Sequence, residues 1–405
     1  MEPILIVGII IFTGFILGEI CTRLRLPKVT GYILAGILLN PDIMHVIPKT
    51  FIEHTALITN FSLAFITFSV GGTLYFPKVK RLGKPIVFIT LFEAELAFIC
   101  VSIVFMVISP LIIPAESGGF FAFYLPLSLL IASLASPTDP SATLAIEHQY
   151  KAKGEVTSTI MGVAAFDDVL GIINYSLAIA LSGMFISNQS IAISAITQPL
   201  FSIFGAVMLG CIFGYILNLL TKLIDKETES VLITLIISLL ALCYGIAKYV
   251  SVDELLSTMT MGIIVTNYSI QRDKLFKMLE RYTEELIFVL FFTISALHLD
   301  FSVLFSSYWL IILFVIFRFI GKFSGAFLGG KLSKSSESVQ KYTAGGLIPQ
   351  GGIVIGLALV IQQNPTFQPL ADIIINVIIG STIVHEIIGP LFSKYALKKA
   401  GEINQ

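Results

Sequence analysis

Apolar runs of roughly 17 residues or more follow one another along almost the whole chain, parted by short polar stretches. An α-helix rises 1.5 Å per residue, so about twenty apolar residues cross a hydrocarbon core of about 30 Å. Runs near 3–22, 28–46, 53–76, 85–113, 120–149, 155–186, 191–223, 229–250, 253–268, 280–299, 303–331, 339–362 and 368–398 therefore predict an all-α polytopic membrane protein with thirteen transmembrane helices. Composition agrees: 56% of the 405 residues are hydrophobic and 13% charged, against about 25% charged in soluble domains. The first run opens Met1-Glu2-Pro3 without a basic head, and Cys21 to Pro27 offers no small-residue cleavage site, so it reads as a span and not a signal peptide.

Charge placement tests the count independently. All but four of the 25 basic residues fall in loops or at span ends that alternate spans bring to one side, from Arg23, Arg25 and Lys28 to Lys394, Lys398 and Lys399. Lys49 and Lys248 fall on the other side, and Arg318 and Lys322 lie inside span 11. The positive-inside rule then puts the N-terminus outside and the C-terminus in the cytoplasm of a cell-membrane protein. With the basic residues committed to topology, the net charge of -1 points to no nucleic-acid partner. Cys21, Cys100, Cys211 and Cys243 have no paired spacing, so neither disulfides nor a metal cluster is expected. Heme-attachment, P-loop and nucleotide-binding signatures are absent from the sequence, and no cofactor is expected.

Thirteen spans fit two six-span halves of opposite orientation joined by span 7, an arrangement common among secondary transporters, in which broken helices at matching positions mark the binding site. Span 5 contains Ser136-Pro-Thr-Asp-Pro-Ser141 and span 12 contains Gly345-Gly-Leu-Ile-Pro-Gln-Gly-Gly352, each the fifth span of its half. Proline removes a backbone donor and disfavours helix at the residue before it, so both spans should unwind near mid-membrane. Freed backbone groups are tolerated there only when buried or facing a hydrated cavity. Asp139 is placed to offset the positive end of the second half-helix, and a cation would meet the Thr138 oxygen and freed carbonyls.

Asp167 and Asp168 interrupt the otherwise apolar run 157–185, about 18 Å from the cytoplasmic end of span 6. A carboxylate at the bilayer centre costs on the order of 2.5–3.5 kcal/mol, so such residues usually line an ion or proton pathway. Ala164, Asp167, Gly171 and Asn174 share a small, polar helix face, which directs the aspartates toward protein or water. Two adjacent carboxylates in a low-dielectric site do not both ionise cheaply unless a cation is bound. Proton and cation then compete for one site built of hard oxygen ligands. Arg318, on the face of span 11 marked by Gly321, Gly325 and Gly329, is the natural counter-charge, either to Asp167 or to the break in span 12. Lys322, one turn on, reads as a side chain snorkelling to the interface. Glu93, Glu95, His385 and Glu386 are also embedded, as candidates for a proton pathway or pH sensing.

Together these residues resemble the monovalent cation/proton antiporter superfamily, in the paired-aspartate branch that includes bacterial and archaeal sodium/proton antiporters. Leu26-Pro-Lys-Val-Thr-Gly-Tyr-Ile-Leu-Ala-Gly-Ile-Leu-Leu-Asn-Pro41 is similar to that branch's early LPxVxGYxLAGxxxGP stretch, with Asn40 for the usual Gly, and Ala165-Phe-Asp-Asp-Val-Leu-Gly171 is similar to its ion-binding helix. The resemblance implies Asp168 as principal cation and proton site and Asp167 as its neighbour, paired with the basic residue of span 11, taken as Arg318. It implies a sodium ion at Asp168, Asp167 and Thr138, and crossed broken helices in the core. It also implies a homodimer in membrane lipid, with segments 1–78 and 228–300 as dimerisation domain, 79–188 and 301–405 as ion-translocation core, and 189–227 as linking helix. Two departures bear on stoichiometry: Arg stands where many electrogenic members have Lys, and Pro349-Gln-Gly-Gly352 replaces a frequent Pro-Arg-Gly-Glu.

The expected function is secondary-active sodium/proton antiport by an elevator-like alternating-access cycle serving pH homeostasis, with no enzymatic activity. An arginine that keeps Asp167 ionised leaves Asp168 as sole proton carrier, and exchange is then one-for-one and electroneutral. Potassium/proton antiport on the same fold is the alternative, followed by sodium-coupled organic-anion symport. A chain ending at Gln405 without an appended nucleotide-binding domain favours sodium over potassium.

Overall fold

The structure, a computed structural model, describes residues 2–24, 28–44, 46–52, 54–113, 119–139, 152–186, 193–223, 228–299, 308–350 and 353–403, with backbone alone at 78–82, 165, 193–200 and 386. Helices account for nearly all of it, and no strand occurs among the described residues.

Helix α1 (Pro3–Arg23) starts on a proline, whose missing N–H costs nothing in the first turn. α2 (Lys28–Leu39) is shorter than its apolar run because Asn40-Pro41 ends it. The buried Asn40 carboxamide accepts from the Asp42 N–H at 2.9 Å and donates to the carbonyls of Leu297 and Leu299 at 3.2 and 3.0 Å. α3 (Ala56–Thr73) and α4 (Phe76–Ile112) follow, α4 bending at Gly83, whose φ of 81° is in the left-handed region. α5 (Phe120–Ser133) precedes the first break, and α6 (Glu155–Ile186) carries the aspartates. Next come α7 (Ile193–Leu223), α8 (Glu229–Tyr249), α9 (Glu254–Tyr268), α10 (Arg272–Leu279) and α11 (Glu285–Leu297). α12 (Tyr308–Leu332) holds Arg318 and Lys322. The second broken span consists of α13 (Glu337–Tyr342), the 3-10 turn Thr343–Leu347, an unwound stretch, and α14 (Ile353–Gln363). α15 (Gln368–Lys399) completes the series.

Among the described residues eight helices are long and apolar enough to cross a membrane, and Lys28–Leu39, Phe120–Ser133 and Ile353–Gln363 are shorter apolar helices. The chain is thus a multi-span membrane protein. It packs as two compact units, one of Met1–Thr55, Leu82–Asn188 and Phe292–Gln405, the other of Ala56–Arg81 and Gln189–Phe291.

Lipid tails give helices little hydrophobic reason to associate, so close contact depends on small residues. In the second unit Gly71 lies against the backbone of Met259 and Gly262 against that of Phe68, so α3 and α9 meet backbone to backbone. The Thr67 and Thr258 hydroxyls are hydrogen-bonded at 2.6 Å across that contact. In the first unit Gly321, Gly325 and Gly329 press α12 onto the α4 backbone at Ala97, Glu93 and Ile89. The glycine face read from the sequence is therefore the seam that joins α12 to α4.

A side chain at Gly325 must separate these backbones, whereas Gly245 on α8 faces open space. Gly325→Val is expected to cost about 1–3 kcal/mol by overpacking, read as a lower unfolding midpoint in detergent. Gly245→Ala should be unchanged or stabilised by up to about 1 kcal/mol.

Candidate cation and proton site

The two unwound stretches cross. Thr138 and Gln350 form an isolated antiparallel bridge, and the Asp139 N–H donates to the Pro349 carbonyl at 3.2 Å. Unwinding at Pro137 and Pro349 frees carbonyls inside the protein, and Arg318 collects them. Its Nε donates to Ala135 O at 2.8 Å, Nη1 to Ile348 O at 2.6 Å, and Nη2 to Pro137 O and Pro349 O at 2.9 and 3.4 Å. The guanidinium is completely buried. A planar group with five donors and a permanent charge suits this task. Of the two roles open to Arg318, charge compensation is the one the geometry displays, and it serves both breaks rather than the second alone.

The ion pair expected between Arg318 and Asp167 is made by Lys322. Its ammonium is 2.7 Å from Glu93 Oε2, 2.7 Å from Thr138 Oγ1 and 3.4 Å from Asp167 Oδ2. The side chain is 0% exposed, so it does not snorkel to an interface. The reason is the glycine seam: Gly321 and Gly325 bring α12 so close to α4 that the side chain between them is enclosed beside Glu93. The signal in sequence was its i+4 spacing from Arg318 on that same face, with Glu93 embedded in a facing span.

Asp167 is fully buried and Asp168, the next residue around the helix, is partly exposed. Gly171, one turn on, sits against Pro137 and Ser136, which brings the α6 backbone to the first break. Four buried oxygens here, Asp167 Oδ1, Asp168 Oδ1, Glu93 Oε1 and Ser136 Oγ, have no hydrogen-bond partner among the described residues. A buried polar atom left unpaired costs about 1–3 kcal/mol, more for a charged group. Such a set of hard oxygens is matched by protons or by an alkali cation. The Thr138 hydroxyl, which accepts from Lys322 and faces Leu347 O at 3.5 Å, keeps a lone pair for the same purpose.

The other sequence candidates lie around this cluster. Asn174 donates to Glu95 Oε1 at 3.2 Å, tying α6 to α4 about half a turn beyond Glu93. His385 is buried on α15 with Nδ1 at 2.9 Å from Gln350 Oε1, which also accepts from Ser381 at 3.2 Å. Gln350 in turn donates to Leu134 O at 3.3 Å. These groups brace the crossing from behind. Asp139 is nearly buried at the crossing, but the half-helix it was expected to face, at 140–151, lies outside the described residues, as does the side chain of Glu386. Lys322 and the bracing Gln350 are the residues that sequence reasoning missed.

The description "Sodium/hydrogen exchanger, transmembrane" matches residues 8–394, and the chain belongs to that family, one of cation/proton antiporters rather than enzymes. It is 29% identical over 192 residues to cation/H(+) antiporter 20 of Arabidopsis thaliana, covering 45% of this chain and only 22% of that longer protein. It is 22% identical over 406 residues to the K(+)/H(+) antiporter subunit KhtU of Bacillus subtilis, covering 96% of this chain and 92% of the relative. Its fold is similar to that of the sodium proton antiporter MjNhaP1 from Methanocaldococcus jannaschii, with a TM-score of 0.78, 19% identity and 98% of both chains covered.

Removing the lysine charge strands two buried carboxylates. Lys322→Gln is expected to cost about 3–5 kcal/mol, and adding Glu93→Gln should recover more than about 1 kcal/mol, the coupling expected of direct partners. Thermal unfolding of the two single variants and the double variant in detergent checks this.

Proposed function

We propose that this protein is a secondary-active sodium/proton antiporter in which cation and protons compete for Asp167 and Asp168. The observation that carries the reading is a pair of buried carboxylate oxygens, Asp167 Oδ1 and Asp168 Oδ1, without hydrogen-bond partners among the described residues, on adjacent residues of which Asp167 is paired with the Lys322 ammonium. Family membership supports exchange of a cation against protons, and the sodium named in the family and in the fold relative supports the choice of ion. Potassium is the second reading, favoured by similarity to the KhtU subunit along nearly the whole chain.

In this mechanism Asp168 is the principal ligand and proton carrier, with Asp167 and the Thr138 hydroxyl completing the oxygen set. Arg318 holds the crossing and keeps its proton throughout. The one-for-one expectation rested on arginine keeping Asp167 ionised. Lysine stands there instead, and it has Glu93 as a second counter-ion. Asp167 can therefore take a proton while the Lys322 ammonium remains paired with Glu93. This adds a second proton per cation and makes exchange electrogenic. The proposal includes thirteen spans in two inverted six-span halves, the N-terminus outside and the C-terminus cytoplasmic. It also includes a homodimer in the lipid bilayer whose ion-carrying helices move between the two faces.

Cation-driven proton movement in proteoliposomes tests the reading with sodium, lithium, potassium and rubidium in parallel. Sodium should drive exchange and Asp168→Asn should reduce it to background; full exchange by that variant removes the proposed site. Each proton displaced by a cation should raise the half-saturating sodium concentration about tenfold per unit fall in pH. A dependence near two decades per unit, with a transport current, is expected. One decade without current restores one-for-one exchange.

A further inference from the structure

The helix that carries the aspartates is capped from far away in the chain. Its first free N–H groups follow Gly154, which has no side chain to accept them. The acceptor is Glu402: the Val156 N–H donates to Oε1 at 2.7 Å, the Thr157 N–H to Oε2 at 2.8 Å, and the Thr157 hydroxyl to Oε2 at 2.6 Å. The Lys153 N–H reaches the Glu402 carbonyl at 3.3 Å.

Glu402 is aimed there by the end of α15. Gly401 adopts φ 74°, its N–H returns to Lys398 O at 3.1 Å, and the Glu402 N–H returns to Leu397 O at 3.0 Å. That left-handed turn reverses the chain and closes the helix end, and Ile403 is buried behind it. Gly154 is matched to the contact, because a Cβ there would collide with the Glu402 side chain. A carboxylate on a helix N-terminus makes charge-assisted bonds to the positive end of the helix dipole. The same α15 carries Ser381 and His385, which hold Gln350, and Gln350 is bridged to Thr138. α6 and α15 are therefore tied together at their ends as well as around the crossing.

We propose that Glu402 is a positioning residue for exchange: its carboxylate fixes the start of α6 to the end of α15 and so sets the height at which Asp167 and Asp168 meet Thr138 and Lys322. This rests on the exchange reading of the aspartate pair.

The test uses the full chain in proteoliposomes, with sodium-driven proton movement read against sodium concentration. Amide hydrogen exchange at 155–158 is measured in parallel. Glu402→Ala should raise half-saturating sodium by about fivefold, the size of a lost helix cap, and speed exchange at Val156 and Thr157. Glu402→Gln, which keeps the shape and one acceptor, should fall between. Once the Glu402 side chain is gone, Gly154 has room for a local cap, so Glu402→Ala with Gly154→Asp should return both readouts to near wild type. Gly154→Asp alone, which meets the intact glutamate, should be impaired. Wild-type sodium dependence in Glu402→Ala and Glu402→Gln overturns the proposal, as does failure of the double variant to recover transport while amide protection returns. Absence of exchange in the wild-type chain would count against the exchange reading and not against the cap, which the amide measurement follows separately.

Discussion

Everything at the centre of this protein depends on one constraint: two helices are unwound where water is scarce, and each freed carbonyl needs a donor. The Arg318 guanidinium answers it by reaching both unwound stretches at once. Without a buried multidentate donor the crossing would leave several backbone oxygens unpaired, each costing a substantial part of the few kcal/mol that hold a fold together. With it, Thr138 and Gln350 can pair and the Thr138 hydroxyl is fixed toward α6 and α12. The proposed cation site stands on a backbone arrangement that this single guanidinium stabilises.

The two basic residues of α12 divide the work by their chemistry. Arginine, planar and permanently charged, is used where geometry must not change. Lysine, a flexible point charge, stands among the carboxylates of Glu93 and Asp167. The seam of glycines against α4 serves both, because it places the two side chains at the crossing without intervening lipid. Glu93 gives the ammonium a second carboxylate partner beside Asp167.

Much of this could be read along the chain, for identifiable reasons. Paired aspartates inside an apolar run and prolines around polar residues are local signals, and they located α6 and both breaks. The glycine spacing of α12 marked the α4 contact. The partners of Arg318 and Lys322 could not be read in the same way, since both lie on one face a single turn apart. Which of them meets carbonyls and which meets carboxylates depends on where two distant breaks cross. The glycine-marked face favoured Arg318 for Asp167, and the position of Lys322 one turn on sent it to the interface, an assignment that the enclosure of Lys322 by α4 corrects. Glu402 was still less legible, because Gly154 shows only that a local side-chain cap is missing and nothing in the sequence names the distant acceptor.

The brevity of α2 has a consequence for the membrane itself. Twelve residues rise only about 18 Å, well short of an ordinary hydrocarbon core, and Leu34 and Leu38 remain exposed on its outer side. The chain then leaves the helix at Asn40, whose amide is already committed to the end of α11. A bilayer meeting this surface has to thin locally or meet an irregular backbone stretch, and mismatch of this kind carries a cost for every ångström. Acyl-chain length is thus a mechanical load on this part of the fold, lighter in a thinner bilayer.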